Sequence, residues 1–118
     1  MGSPFCIREY ALDGEVHAVE VEGELDVLVA PTLRETLVRL IEAGRKTLLV
    51  DLSEVTFIDS TAIGVLYGRV SELRPSGGSL SVVSSDPNVL RTFQVAGMDG
   101  AFAIFATRVE FAAQRRAP

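Results

Sequence analysis

The sequence has very little cysteine and histidine, since Cys6 and His17 are the single examples among 118 residues. One cysteine cannot form a disulfide within the chain, which is consistent with a reducing, cytoplasmic location. One cysteine and one histidine also argue against a zinc site and against a Cys/His catalytic pair. On a strand, His17 is more typical of sheet structure than of catalysis. We therefore expect no metal, no cofactor and no catalysis by this chain.

The chain also lacks an excess of positive charge and any long apolar run. It has 11 Lys and Arg against 16 Asp and Glu, a formal net charge of −5. Nucleic-acid binding requires clustered cations, so this balance argues against a nucleic-acid partner; adjacent cations are limited to short pairs such as Arg115-Arg116. No segment approaches the roughly 18 apolar residues that span a bilayer, and no signal-peptide pattern is visible. We expect no direct membrane insertion.

What the sequence does have is a regular alternation between the hydrophobic period of strands, two residues, and that of helices, 3.6 residues. Its length fits one compact domain over residues 1–118. The predicted strands are 5–10, 16–22, 48–52, 80–83 and 101–105. The predicted helices are 27–43, 60 to a stop at Pro75, 87 to a stop at Gly97, and one that begins near 107. Residues 23–26 are expected to break the second strand, and Asp51 to end the third.

This order, β-β-α-β-α-β-α-β-α, indicates an α/β fold with a mainly parallel sheet. The first two strands are joined by a short turn at Asp13-Gly14, which favours antiparallel pairing. Asp86 followed by Pro87 is typical of a helix start, and Thr107 with Glu110 has the spacing of a capping box.

The junction between the third strand and its helix reads Asp59-Ser60-Thr61. One interpretation is purely structural, because Asp, Ser and Thr commonly cap helix N-termini. The other is that Ser60 presents an exposed hydroxyl on a rigid platform. A phosphate there would sit where the helix dipole favours negative charge, and it would change the surface more than the fold.

The outer face of the same helix has two glycines four residues apart. Projection at 100° per residue places Thr61, Gly64, Val65, Gly68 and Glu72 away from the sheet. Glycine costs roughly 1 kcal/mol relative to alanine in a helix, so the two glycines need a reason. They either leave a flat strip for a partner chain or relieve crowding within the domain.

Two stretches resemble the signature of the STAS domain, which occurs in sulfate transporters and anti-sigma factor antagonists. Residues 50–61 read VDLSEVTFIDST, and residues 21–26 read VEGELD. The resemblance covers residues 5–113 as the core of a single domain. It implies a mixed sheet of four to five strands, covered mainly on one face by about four helices.

For small members of this family, the resemblance implies partner switching. The unphosphorylated antagonist binds an anti-sigma factor that is also a serine kinase, and the sigma factor is released. Phosphorylation of Ser60 would switch this binding off, and a serine phosphatase would reset it. The resemblance gives Asp59 a role in orienting the turn and places Asp26 nearby. Thr61 would cap the helix or act as a second acceptor.

One departure from the family pattern is Ala62-Ile63, where many members have Gly-Leu. The methyl group of Ala62 is expected beside the docking surface, which includes Asp26, Asp59, Thr61, Ala62, Gly64, Val65 and Gly68. An alternative function is a non-switching STAS scaffold, as a subunit of a stress-signalling assembly or of a membrane transporter complex. Asp51 and Asp59 could form a carboxylate pair, but no third catalytic group accompanies them.

Overall fold

The computed structural model describes residues 5–116, which form a five-stranded sheet and four α-helices. The strands are β1 (Cys6–Ala11), β2 (Val16–Leu25), β3 (Thr47–Ile58), β4 (Ser79–Val83) and β5 (Ala103–Phe105). The α-helices are α1 (Ala30–Glu42), α2 (Ser60–Leu73), α3 (Pro87–Val95) and α4 (Arg108–Arg116). A short 3₁₀ turn, Arg74–Ser76, follows α2. The predicted α/β class and element order are confirmed.

The strands lie in the sheet in their order along the chain, β1-β2-β3-β4-β5. β1 pairs antiparallel with β2, and every later pair is parallel. Because right-handed crossovers that step in one direction place their helices on one face, α1, α2 and α3 share that face. The main core lies beneath them and includes Val19, Val21, Leu33, Leu37, Leu48, Val50, Leu66, Val82 and Phe93.

The last helix covers part of the opposite face. Val16, Leu49 and Val83 point away from the main core and form a second cluster with Phe111 of α4. The Phe111 ring meets Phe105 edge-on, with ring centroids 5.6 Å apart. The sheet is therefore covered by three helices on one face and by one short helix on the other.

Two predicted strand ends are wrong, because both strands continue through polar residues. β2 runs on to Leu25, and its register against β3 shifts twice beyond Glu20 because β3 carries an extra residue at each shift. Gly23 lies between the two shifts, and its φ of +104° suits glycine. Asp51 lies inside β3 rather than at its end. Its carboxylate is neutralised by Arg108, whose Nε lies 2.6 Å from Oδ2. Bulges and a distant ion pair are invisible to a periodicity argument.

The helix ends follow the predicted capping chemistry closely. Asp86 caps α3 by accepting from the backbone N–H groups of Asn88 and Val89, at 2.8 and 3.2 Å. Thr107 accepts from the Glu110 N–H at 3.1 Å. The main difference is that α1 begins at Ala30 rather than at 27. Within residues 5–116, no helix combines the length and the apolar composition needed to cross a membrane.

Candidate functional site

The candidate site lies at the carboxyl edge of the sheet, where β2 and β3 end side by side. Leu25 is the register partner of Ile58, so Asp26 and Asp59 follow at the same edge. The backbone N–H of Asp59 donates to the Leu25 carbonyl at 3.2 Å, which ties the two strand ends together. Asp26 and the Asp59 turn therefore occupy the same end of the molecule.

Both aspartates organise the backbone of their own turns. The Asp26 carboxylate accepts from the N–H groups of Leu28 and Val29, at 3.0 and 3.3 Å, and shapes the turn into α1. The Asp59 carboxylate accepts from the Ala62 N–H at 3.0 Å and is the N-cap of α2. The Asp59 carboxylate satisfies an N–H group that the helix start leaves unpaired, whereas Asp26 bonds the turn that precedes α1, which has no side-chain cap.

Asp59, and not Ser60, therefore caps α2, although the sequence allowed a capping role for any residue of the Asp59-Ser60-Thr61 junction. Ser60 is the first residue of α2, and it is exposed. Its hydroxyl makes no hydrogen bond with any residue between 5 and 116. Ser60 therefore presents an accessible hydroxyl at a helix N-terminus, on a turn that Asp59 holds in place.

The outer face of α2 is open at both glycines. Thr61 and Gly64 are exposed, and Val65 and Gly68 are half-buried. A Cβ added at Gly64 or Gly68 would meet nothing within 4 Å, and neither residue has a positive φ. Crowding within the domain therefore does not explain these glycines, and that alternative is wrong. The two glycines leave a flat strip along the helix surface.

Ala62 does not lie on this surface, contrary to the prediction. It is 0% exposed and belongs to the main core beside Ile63, which is 2% exposed. Because successive residues of an α-helix lie about 100° apart around its axis, the one-residue step from Thr61 to Ala62 moves the side chain from solvent to core. The Ala62 methyl group fills the interior.

Sequence reasoning missed an apolar patch at the same edge. Val27 and Leu28, in the turn after β2, are 57% and 83% exposed, and Phe57, near the end of β3, is 47% exposed. We call these three residues the carboxyl-edge patch. Phe57 is the register partner of Glu24, so the patch spans the ends of β2 and β3. The sequence signal was the run Val27–Ala30. One face of a helix cannot bury four consecutive apolar residues, so some of them are expected to be exposed.

The carboxylate pair considered from the sequence is not brought together. Asp59 caps α2, whereas Asp51 lies on the α4 face with Ser53 and Arg108 as its partners. Burial acts to raise the pKa of Asp51, but hydrogen bonds from Ser53 and Arg108 outweigh it and the pKa is lowered. No group of three His, Cys, Asp or Glu side chains suited to a metal ion occurs within residues 5–116.

His17 is a structural residue in the sheet. It is 8% exposed, and its Nε2 lies 3.7 Å from Oε1 of Glu9 on the neighbouring strand. The ring is far from Ser60, because His17 lies near the start of β2 and Ser60 follows the end of β3, and the two strands are parallel.

Comparison with known proteins identifies relatives over most of the chain. Residues 9–111 match the family model described as STAS domain. The chain is 39% identical over 80 residues to an anti-sigma-B factor antagonist of Bacillus subtilis strain 168. That match spans 68% of this chain and 72% of the relative.

Two solved structures have closely similar folds. An anti-sigma factor antagonist from Mycobacterium paratuberculosis has a TM-score of 0.87 at 24% identity, over 99% of this chain and 100% of that one. The Bacillus cell fate determinant SpoIIAA, in its phosphorylated form, has a TM-score of 0.73 at 24% identity. That match covers 94% of this chain and 100% of SpoIIAA. At these identities the likeness establishes the fold.

Proposed function

This chain belongs to the STAS domain family, and on that premise we propose that it acts as an anti-sigma factor antagonist. Unphosphorylated, it binds an anti-sigma factor that is also a serine kinase, and the sigma factor is released. The kinase then phosphorylates Ser60, which ends the interaction, and a serine phosphatase restores the first form. The chain acts in the cytoplasm as a binding partner and kinase substrate, and it is not itself an enzyme.

The observation that carries this proposal is the exposed hydroxyl of Ser60. A kinase substrate must present its acceptor oxygen to a second protein, and the Ser60 hydroxyl has no bond to residues 5–116 that would have to break. Because Asp59 caps the helix, modification of Ser60 removes no structural hydrogen bond. The fold is therefore expected to tolerate both states of the serine.

The surface around Ser60 has the features of a protein contact. The carboxyl-edge patch supplies exposed apolar area, and such patches commonly mark interaction sites. Thr61, Gly64, Val65 and Gly68 continue the surface along α2, where the glycines permit close approach of another backbone. Asp26 shapes the turn that holds Val27 and Leu28.

The effect of phosphate follows from charge and size. A phosphoserine adds about −1.5 to −2 charges and three acceptor oxygens. It would stand beside the carboxylates of Asp26 and Asp59, which already make this edge acidic. A partner fitted against the neutral serine then meets a dianion that must be desolvated, so affinity falls while the fold remains intact.

The test is phosphorylation and binding with the co-encoded anti-sigma kinase. We expect Ser60→Ala to bind the kinase but to accept no phosphate, and Ser60→Asp to bind at least about tenfold more weakly, a change of about 1.4 kcal/mol. Affinity is measured by calorimetry, and the modified residue by mass spectrometry. Circular dichroism of each variant shows whether the fold is retained.

Ser79→Asp is the matched control, because Ser79 is an exposed serine at the start of β4, at the edge of the sheet opposite Ser60. It adds the same charge away from Ser60 and should leave phosphorylation of Ser60 intact. Equal affinity of Ser60→Asp and the unmodified chain would refute the switch and favour the non-switching scaffold. Phosphate found on Thr61 instead would move the acceptor by one residue.

A further inference from the structure

A groove of about 500 Å³ lies between α4 and the turn that joins β1 to β2. It is on the face of the sheet opposite α1, α2 and α3, and α2 carries Ser60. A volume of this size is within the range that small-molecule sites occupy. The groove is therefore a candidate site that is separate from the surface proposed to bind the anti-sigma factor.

The walls of the groove are largely apolar, and part of that apolar surface is exposed to solvent. Leu12, Val109, Phe111 and Ala112 line it. Phe111 is buried in the second cluster, but Val109 is 75% exposed and Leu12 is 39% exposed. These two side chains come from different elements and face one groove, so a ligand with an apolar body would remove both from water.

The charged residues of the groove are mostly arginines. Arg108, Arg115 and Arg116 line it, against the single carboxylate of Asp13. That carboxylate is engaged by its own turn, where it accepts from the N–H groups of Glu15 and Val16 at 2.8 and 2.9 Å. Three of the chain's 11 cationic residues thus gather at one groove of a protein with a net charge of −5.

These arginines differ in their availability. Arg108 is held by Asp51 and Glu20, and Arg115 pairs with Glu15 at 2.9 Å. Arg116 is exposed and forms no ion pair with the residues between 5 and 116. Among residues 5–116, the groove therefore offers one guanidinium without a carboxylate partner, beside an apolar wall.

We propose that this groove binds a small anionic amphiphile, a molecule with an apolar alkyl or aryl body and one carboxylate head. The body packs against Leu12 and Val109, and the head is neutralised by Arg116. The ligand binds as a free molecule, in a groove bounded by the β1–β2 turn and by α4.

The test uses sodium octanoate, followed by ¹H–¹⁵N NMR titration of the full chain at neutral pH and below the micelle concentration. We expect saturable shifts in α4 and in the β1–β2 turn, with none at the carboxyl edge. Octanol and octylammonium have the same body without the negative head. They should bind at least about tenfold more weakly, as expected when a charge-assisted contact is lost.

Variants separate the two halves of the site. Arg116→Gln should weaken octanoate about tenfold while octanol is unaffected. Val109→Asp, at a position that is already exposed, should weaken both ligands without unfolding the chain. Arg91→Gln on α3 is the control, since Arg91 is exposed on the other side of the sheet.

Three outcomes would overturn the proposal. One is octylammonium binding as tightly as octanoate, which would leave no role for the arginines. Another is shifts that grow linearly without saturation. The third is binding to anionic phospholipid vesicles with no binding of monomeric octanoate, because the surface would then be a membrane contact rather than a ligand site.

Discussion

At the scale of single residues, the candidate site divides two tasks between neighbours. Asp59 caps α2 and fixes the turn, and Ser60 is left with an exposed hydroxyl. A serine that served as the cap would change its hydrogen bonding to the helix start when modified, so phosphorylation would also alter the stability of the helix. The arrangement in this chain avoids that coupling between modification and stability.

The glycines of α2 give a prediction in which stability and binding move in opposite directions. Gly64→Ala and Gly68→Ala should each raise the free energy of unfolding by about 0.5–1 kcal/mol, because a Cβ has open space and reduces the entropy of the unfolded chain. The same methyl groups should weaken binding to the anti-sigma kinase. Urea denaturation and calorimetry measure the two effects.

Ser79→Ala, at an exposed position at the opposite edge of the sheet, is the comparison for this pair, since it removes a hydroxyl away from α2 without adding bulk. It should leave kinase affinity unchanged. If either glycine variant bound the kinase as tightly as the native chain, the strip would lie outside the interface. A loss of stability would mean that the helix packs more tightly at the glycine than its open surroundings indicate.

At the scale of elements, α4 is attached to the sheet by one buried aromatic side chain and by the ion pairs of one arginine. Phe111 is its one buried residue in the described part of the helix. Arg108 adds ion pairs to Asp51 and Glu20, and its guanidinium also lies 5.5 Å from the centre of the Tyr10 ring. One arginine therefore connects α4 to β1, β2 and β3.

This attachment should weaken in acid. Hydrogen bonds from the Tyr10 hydroxyl, and then from Arg8 and the charge of Arg108, lower the pKa of Glu20, and the pKa of Asp51 is also lowered. Depressed carboxyl pKa values contribute stability that is complete at neutral pH and is lost as the pH falls through these lowered folded-state values. The protection factors of α4 amides, which correct for the pH dependence of intrinsic exchange, should fall as the pH is lowered through these values.

Arg108→Ala should remove most of this pH dependence and lower the free energy of unfolding at neutral pH by about 2 kcal/mol, because Asp51 loses a charged hydrogen bond. Arg91→Ala, at an exposed position on α3, is the control and should change neither quantity. Protection factors of α4 amides that stayed independent of pH in the native chain would show that Phe111 alone holds the helix.

The same helix shows what could and could not be predicted from the sequence. The alternation of strands and helices, the caps at Asp86 and Thr107, and the family were predicted and are confirmed, because each depends on residues close together in the chain. The bond between Arg108 and Asp51 spans 57 positions, and the burial of Ala62 depends on one helical step. Neither follows from local patterns.

At the scale of the whole molecule, the net charge of −5 bears on how the proposed switch works. Phosphorylation would take it to between about −6.5 and −7. If the phosphate acts by repulsion, raising the salt concentration from 0.05 to about 0.5 M should restore part of the lost kinase affinity, since exposed charges are screened. Calorimetry with the phosphorylated chain measures the gain.

The contrasting result is equally informative. If steric exclusion by the phosphate dominates, the affinity of the phosphorylated chain for the kinase should stay low at every salt concentration. The unphosphorylated chain, titrated over the same range, gives the baseline for general salt effects on the interface. An acidic substitution at Ser60 separates the two causes further, because a carboxylate carries charge with less bulk than a phosphate.

The antiparallel run of β1 has a practical consequence for anyone who labels this protein. Cys6 pairs with Glu22, close to the end of β2, so β1 begins beside the edge where Asp59 and Ser60 lie. Arg116 lines a groove with Leu12 and Asp13, at the far end of the sheet. A fluorescent protein or affinity tag fused before residue 5 would crowd the proposed partner surface, whereas one placed after residue 116 would leave it clear.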